Sequence, residues 1–430
     1  MQLSEESGKI IKLILPKLKE CMTYRIEDKN KNKLFKKSLN KMLTVLYNDI
    51  LAGNNYVKHQ LASDCMAASL KMLGPANKGP NKPEIYSSRF FPENIRKYIE
   101  ETGKYQLTYQ CSIKGRKITI YFTLFSEDDL TSLEKYDNYA HMMYTWLYIC
   151  DLYSFKKCAN TLSIYVYQTP FKKNLPEKTT TTLGTSHVNT AFTLNCAVNG
   201  EMVLFREEEW MKVFIHETFH SYGLDFGTYT AISIKSYVRN IFPIDSDFNI
   251  EETYTETWAR IINCAFISYD SLEKKTDKNE FLMYMNFCLQ IERLFALYQC
   301  DKVLQFMGLS YENIHSSDEK SAYLRRNMYR ENTNVFAYYV LTSIFMNDYY
   351  SFLKWCETNN IAFLRFNATE KNFKSFGDLI TELYNSKSMT GGLKCISNIL
   401  NNKIYRTSPV SKEGRKWIGT TTRMSCLELP

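Results

Sequence analysis

Glycine and proline are scarce in this chain, at 16 and 10 among 430 residues. So few turn-formers exclude collagen-like, linker-rich or many-turned all-β architectures. Histidine is scarcer still, with six. No run approaches the roughly 18 consecutive apolar residues of a membrane span. The best stretches, 142–149 and 335–346, are short and interrupted by Tyr, Thr and Ser. The opening MQLSEESGKI lacks the basic-then-apolar pattern of a signal peptide. The 12 cysteines are scattered without a CxxC pair. They read as buried free thiols of an intracellular, reducing compartment, not as a disulfide framework or zinc ribbon.

What is present is ordinary for a globular chain. Hydrophobic residues make up 44% and charged residues 23%, which excludes wholesale disorder. The length predicts two or three structural units. A net charge of +8 permits contact with acidic surfaces without demanding nucleic acid.

The pattern predicts an α+β fold: a small mixed sheet plus an active-site helix, with a helical N-terminal region and a mostly helical C-terminal lobe. Residues 1–100 form the basic N-terminal region, helical over 1–73. Its lysines 29, 31, 33, 36, 37 and 41 suit a solvated helix face, or else an anionic partner. Residues 74–92 hold four Pro and two Gly and make the best linker. The core occupies 101–270. Alternation over 105–113 and 117–125 around Lys114-Gly115-Arg116 signals a hairpin. A helix follows over 128–153, then strands at 162–168, 187–193 and 201–205. The C-terminal lobe, 271–402, continues the helices that begin near 250. Residues 403–430 lack periodicity and are expected to form an extended tail.

The chemistry lies in His216-Glu217-Thr218-Phe219-His220, an HExxH sequence. Positions i and i+4 project from one face of a helix, so two imidazoles there can grip one Zn²⁺ with the Glu beside the open coordination position. With six His, a chance match arises in roughly one chain in two hundred. Glu207, Glu208 and Glu209 suit the first turn of that helix, and Gly223 suits its end. A catalytic zinc needs a third protein ligand. The metzincin spacing is met through Gly223, but its third histidine position holds Phe226. Asp225, one position short, stays open as a ligand.

Downstream, Glu256-Thr257-Trp258-Ala259 resembles the Glu-x-x-Ala segment of the gluzincins. The resemblance implies a zincin-like core in which a second helix supplies Glu256 as third ligand. Glu252, one turn earlier on the same face, is the alternative, and whichever does not bind would orient a ligating His. It further implies an upper sheet whose edge strand, HVNTAFT, binds extended peptide, with His187 and Asn189 toward the substrate on the face shared by Ala191. Gluzincins use a Tyr or His of the helical half to stabilise the oxyanion. Tyr338 and Tyr339 are the candidates, with Tyr222 as a further one. The implied activity is hydrolysis of peptide bonds in a protein or peptide substrate by a zinc-activated water with Glu217 as general base. The segments LFREEEWMKVFIHETFH, YTETWARI, NVFAYYVL and TTTRMSCLELP are similar to zincin-like proteins of large nucleocytoplasmic DNA viruses, which implies a viral protein. The alternative is a catalytically silent structural or interaction protein on the same scaffold, for example a virion component. Nucleic-acid binding rests on charge alone and is not expected.

Overall fold

In the computed structural model the described residues are all of 1–430 except 19–20, 22–28, 63–65, 74–78, 156, 228, 230–231 and 402–407. The side chains of Lys29 and Lys31 and the first part of the proposed linker therefore lie outside the description. The fold is α+β. The elements used below are α1 (Glu5–Ile14), α2 (Lys29–Ala62), β1 (Met66–Met72), α3 (Glu93–Thr102), β2 (Tyr105–Ile113), β3 (Arg116–Leu124), α4 (Leu133–Tyr153), β4 (Thr161–Thr169), β5 (Ala191–Thr193), β6 (Asn199–Arg206), α5 (Trp210–Tyr222), α6 (Ile232–Ile241), α7 (Glu251–Asp270), α8 (Lys278–Phe306), α9 (Glu319–Met328), α10 (Thr342–Asn347), α11 (Tyr349–Asn359), α12 (Glu370–Leu383), α13 (Lys387–Asn401) and α14 (Lys412–Thr420). A π-helical segment, Phe336–Leu341, precedes α10. Among the described residues no helix is long and apolar enough to cross a membrane.

The chain forms two compact units that do not follow sequence order. A sheet unit comprises Tyr47–Lys172 and Asn189–Thr228. A helical unit comprises Met1–Leu46, Lys173–Val188 and Tyr229–Pro430. Residues 229–270, expected within the core, therefore group with the helical unit, as do the first 46 residues.

The sheet unit holds six strands in the order β1-β2-β3-β4-β6-β5. The β2–β3 hairpin turns at Lys114 and Gly115, both at positive φ (50° and 90°), the conformation that two-residue hairpin turns require. β3, β4 and β6 run parallel, so both faces must be covered. Tyr165, Tyr167, Val203 and Phe205 pack with Phe91, Ile95 and Ile99 beneath α3. The alternate residues, including Ile120, Phe122, Ile164, Val166, Met202 and Leu204, are equally buried. On that face the Phe122 ring meets Tyr136 of α4 at 5.2 Å.

Two expectations fail here. β1 lies in the region read as wholly helical. HVNTAFT is not one strand: 185–188 is a helical turn in the helical unit, and only Ala191–Thr193 pairs, antiparallel to β6. That short strand does form the sheet edge.

The helical unit is built around α8, whose residues from Ile291 to Leu304 are all buried. The described part of the stretch expected as an extended tail, 408–430, contains α14 and then runs buried from Thr421 to Leu427. Side chains of α8 satisfy its backbone. The Glu292 carboxylate accepts from the N–H groups of Cys426 and Leu427 at 2.9 Å each and from the Ser425 hydroxyl at 2.5 Å. Lys302 donates to the carbonyl of Ile418 at 2.9 Å. These contacts answer the obligatory hydrogen bonding of a buried non-helical strand of chain.

The expectation of buried free thiols holds for Cys111, Cys150, Cys264, Cys288, Cys300, Cys356 and Cys426 and fails for four others. Cys21 pairs with Cys395, and Cys158 with Cys196. The pairs join residues 374 and 38 apart in sequence, a proximity that spacing does not reveal.

Candidate metal centre

α5 carries HExxH, and all 13 of its residues are buried. The three glutamates expected in its first turn precede it instead. Glu209 caps the helix at φ 59°, in the left-handed region, and its carbonyl accepts from Val213 at 2.9 Å. Gly223 ends it at φ 61°, and Leu224 N–H closes back on Phe219 carbonyl at 2.9 Å. Glycine takes that conformation without strain. A Cβ there would stand 3.0 Å from the Cys158 sulfur, so a side chain would also crowd that cysteine.

Three contacts fix the roll of α5. Trp146 of α4 donates its indole N–H to the Thr218 hydroxyl, and its ring stacks on Phe219 with centroids 6.0 Å apart. On the strand side, Ser221 and Thr193 of β5 share a hydrogen bond at 2.8 Å. At the C-terminal end the Cys196 N–H donates to the His220 carbonyl at 2.9 Å, and Cys196 is bonded to Cys158.

Held this way, His216 and His220 present Nε2 atoms 3.2 Å apart, with ring centroids at 5.0 Å and planes at 74°. Two imidazole nitrogens on one tetrahedral zinc, each roughly 2.0–2.1 Å from it, stand about 3.3 Å apart. The observed spacing fits a shared metal. Asp225 accepts from His220 Nδ1 and is held in turn by the Gly227 N–H at 3.2 Å. A proton on Nδ1 leaves the Nε2 lone pair facing the other histidine, which is the tautomer a metal needs. Asp225 is thus the orienting carboxylate of His220, a role the sequence reading reserved for Glu252 or Glu256. Glu217, between the two histidines, is 7% exposed, close to His216 and His220 at 5% each.

The remaining candidates divide. Phe226, at the third histidine position of the metzincin spacing, is fully buried. Tyr222 is also fully buried, under the Arg116 guanidinium at 4.9 Å, and is a core residue. Asn189 uses its carbonyl to accept from Arg206 at 3.0 Å. In the helical unit, His187 sits in the 185–188 turn with Nδ1 accepting from the Gly184 N–H at 3.1 Å. The alternating face of His187, Asn189 and Ala191 does not form, because 187 is not in a strand. Glu256 is fully buried and paired with Arg260 at 2.9 Å. Glu252 is partly exposed and accepts from the Tyr338 hydroxyl at 3.0 Å. Tyr339 donates its hydroxyl to the Thr422 carbonyl at 2.5 Å.

Sequence reasoning missed the Trp146–Thr218 contact and the disulfide, for which no local signal exists. The Glu256–Arg260 pair was visible as opposite charges four residues apart on one helix.

No protein-family model matches the chain, and neither a curated protein nor a solved structure matches it significantly.

Proposed function

We propose that this chain is a zinc-dependent metallopeptidase with a zincin-like core, in which His216 and His220 hold the metal and Glu217 is the general base. The observation that carries the reading is the 3.2 Å approach of the two Nε2 atoms on a buried helix whose sequence is HExxH. The expected third ligand, Glu256, is not part of this reading. Glu256 is committed to Arg260 in the interior of its own unit, and freeing it would strand a buried cation.

Bound zinc supplies Lewis acidity, polarising a scissile carbonyl and acidifying water. The protein residues do the rest. Asp225 fixes the tautomer of His220. Glu217 accepts the proton of the attacking water and passes it to the departing amine. In this reading β5, at the end of the strand order and tied to α5 through Thr193 and Ser221, offers backbone groups to an extended peptide.

The test is metal analysis of purified protein together with a peptide-library cleavage assay on wild type and Glu217→Gln. Zinc with Glu217-dependent cleavage supports the enzyme. Stoichiometric zinc with no cleavage of any library member selects a metal-stabilised interaction protein instead.

A further inference from the structure

We propose that the Cys158–Cys196 disulfide is a redox switch on the metal site. While the bond is closed, His220 is held ready for a metal; reduction by a dithiol lowers metal affinity. The inference rests on the zinc reading above and adds its regulation. Every residue involved belongs to the sheet unit.

The two cysteines are held differently. Cys158 is fully buried, in a loop fixed by one guanidinium. Arg116 donates to the carbonyls of Phe155 at 3.0 Å, of Ala159 at 3.1 Å and of Cys158, and to the Ser154 hydroxyl at 2.9 Å. It also pairs with Asp151 at 2.6 Å. Cys196 lies in the connection from β5 to β6, partly exposed and flanked by exposed Leu194, Asn195 and Val198. Cys196 adopts φ 45° and Ala159 φ 48°. That left-handed conformation is costly for residues with a Cβ and persists only where the surroundings impose it. A bond from the fixed Cys158 loop to this connection helps to impose it.

The metal-binding helix ends against this bond. The Cys196 N–H donates to the His220 carbonyl at 2.9 Å, and the Gly223 N–H to the same carbonyl at 3.2 Å. A Cβ on Gly223 would lie 3.0 Å from the Cys158 sulfur and 3.4 Å from that of Cys196. Both sulfurs therefore abut the glycine that turns the chain out of α5. Two residues on, Asp225 accepts from His220 Nδ1. Two separate thiols need more room than one disulfide, and on this side the room is taken by Gly223. Opening the bond thus pushes on the turn that carries Asp225 and frees the connection that caps the His220 carbonyl. Loss of the carboxylate behind a ligating histidine typically changes metal affinity by about 10- to 100-fold.

Exposure sets the order of the chemistry. A thiolate of the dithiol attacks the Cys196 sulfur. The bond between Cys196 and Cys158 breaks, and the Cys158 sulfur leaves with the electron pair and takes up a proton. The second thiolate of the reductant then attacks its own first sulfur in the mixed disulfide and releases Cys196, which is protonated in turn. Two electrons and two protons pass to the protein, and the dithiol becomes a disulfide.

The experiment uses full-length protein carrying Cys21→Ser/Cys395→Ser, which removes the other described disulfide. The probe is dithiothreitol, removed by desalting under nitrogen before zinc is added, because a dithiol itself binds zinc. Zinc affinity by chelator competition, disulfide mapping by mass spectrometry and thermal melts are measured on oxidised, reduced and reoxidised protein. The proposal expects reduction to weaken zinc binding about 10-fold or more, and reoxidation to restore it. It also expects Cys158→Ser/Cys196→Ser to bind zinc as weakly as the reduced protein and to ignore the reductant. Equal affinity in the oxidised and reduced states, with binding still lost in His216→Ala/His220→Ala, overturns the switch and leaves the zinc reading standing. A bond that dithiothreitol does not open in folded protein overturns it as well, as does reduced protein that is unfolded at the assay temperature, since the bond is then structural. If oxidised protein binds no zinc, the zinc reading fails and takes the switch with it. Should Cys21→Ser/Cys395→Ser fail to fold, the same cycle is run on wild type, where the loss on reduction must disappear in Cys158→Ser/Cys196→Ser.

Discussion

The Nε2 atoms of His216 and His220 stand 3.2 Å apart on one buried helix. Two neutral imidazoles gain little from facing lone pair to lone pair, so the arrangement is most useful when a cation lies between or beside them. Its neighbours serve that geometry: Trp146 sets the roll of the helix and Asp225 sets the tautomer.

Replacing Asp225 with Ala should weaken zinc binding about 10- to 100-fold, the usual cost of losing a carboxylate behind a ligating histidine. Asp225→Asn keeps one acceptor and should lose less. Chelator competition reads both. Equal affinity in wild type and Asp225→Ala would show that His220 is oriented by something else.

The Cys158–Cys196 bond closes a loop of 38 residues beside the end of α5. Loop-closure entropy for that length corresponds to about 4 kcal/mol. The double Ser variant should therefore melt measurably lower, and reductant should bring wild type down toward it. Because Cys196 also holds the His220 carbonyl, the same variant should bind zinc more weakly. Unchanged melting with and without reductant would show that the bond adds nothing to the sheet unit.

Burial raises the Glu331 carboxyl to about 7, against 4.5 for an ordinary glutamate, despite donation from Ser246, Tyr329 and the Phe336 N–H. The folded state therefore holds a proton that the unfolded state releases first. Stability falls as pH rises from 4.5 to 7, and the cost, about 3 kcal/mol, is complete above that. Burial lifts Asp301 to about 6, with the same sign. Glu331→Gln should remove the Glu331 share of the fall. Denaturation at pH 4.5 and pH 7.5 checks it; a difference between variant and wild type that does not change with pH would contradict the assignment.

Glu292 accepts three donors from residues 425–427 in a fully buried setting. Glu292→Ala leaves those donors unanswered, at about 1–3 kcal/mol each. The helical unit should lose at least about 3 kcal/mol in denaturant titration. A loss under 1 kcal/mol, about the scale of a single exposed contact, would mean that water enters and replaces the carboxylate.

Local chemistry made part of this legible. The Lys114-Gly115 turn, the alternation on either side of it, and the spacing of His216 and His220 are all short-range signals, and each appears in the fold. Contacts between distant segments were not legible. The polar run TTTRMSC reads as solvated tail, yet it is buried because Glu292, more than 130 residues earlier, satisfies its backbone. β1, with the sequence MAASLKM, has weak strand character and exists because β2 offers it a pairing edge. The pairing of Glu256 with Arg260 was legible too, as opposite charges four residues apart on one helix.

The most direct test of the central claim is the zinc content per chain of purified wild type beside the His216→Ala/His220→Ala double variant. The account predicts one zinc per chain in wild type and none in the double variant, with both proteins folded. Wild type that takes up no zinc, or a double variant that keeps its full complement, would contradict it.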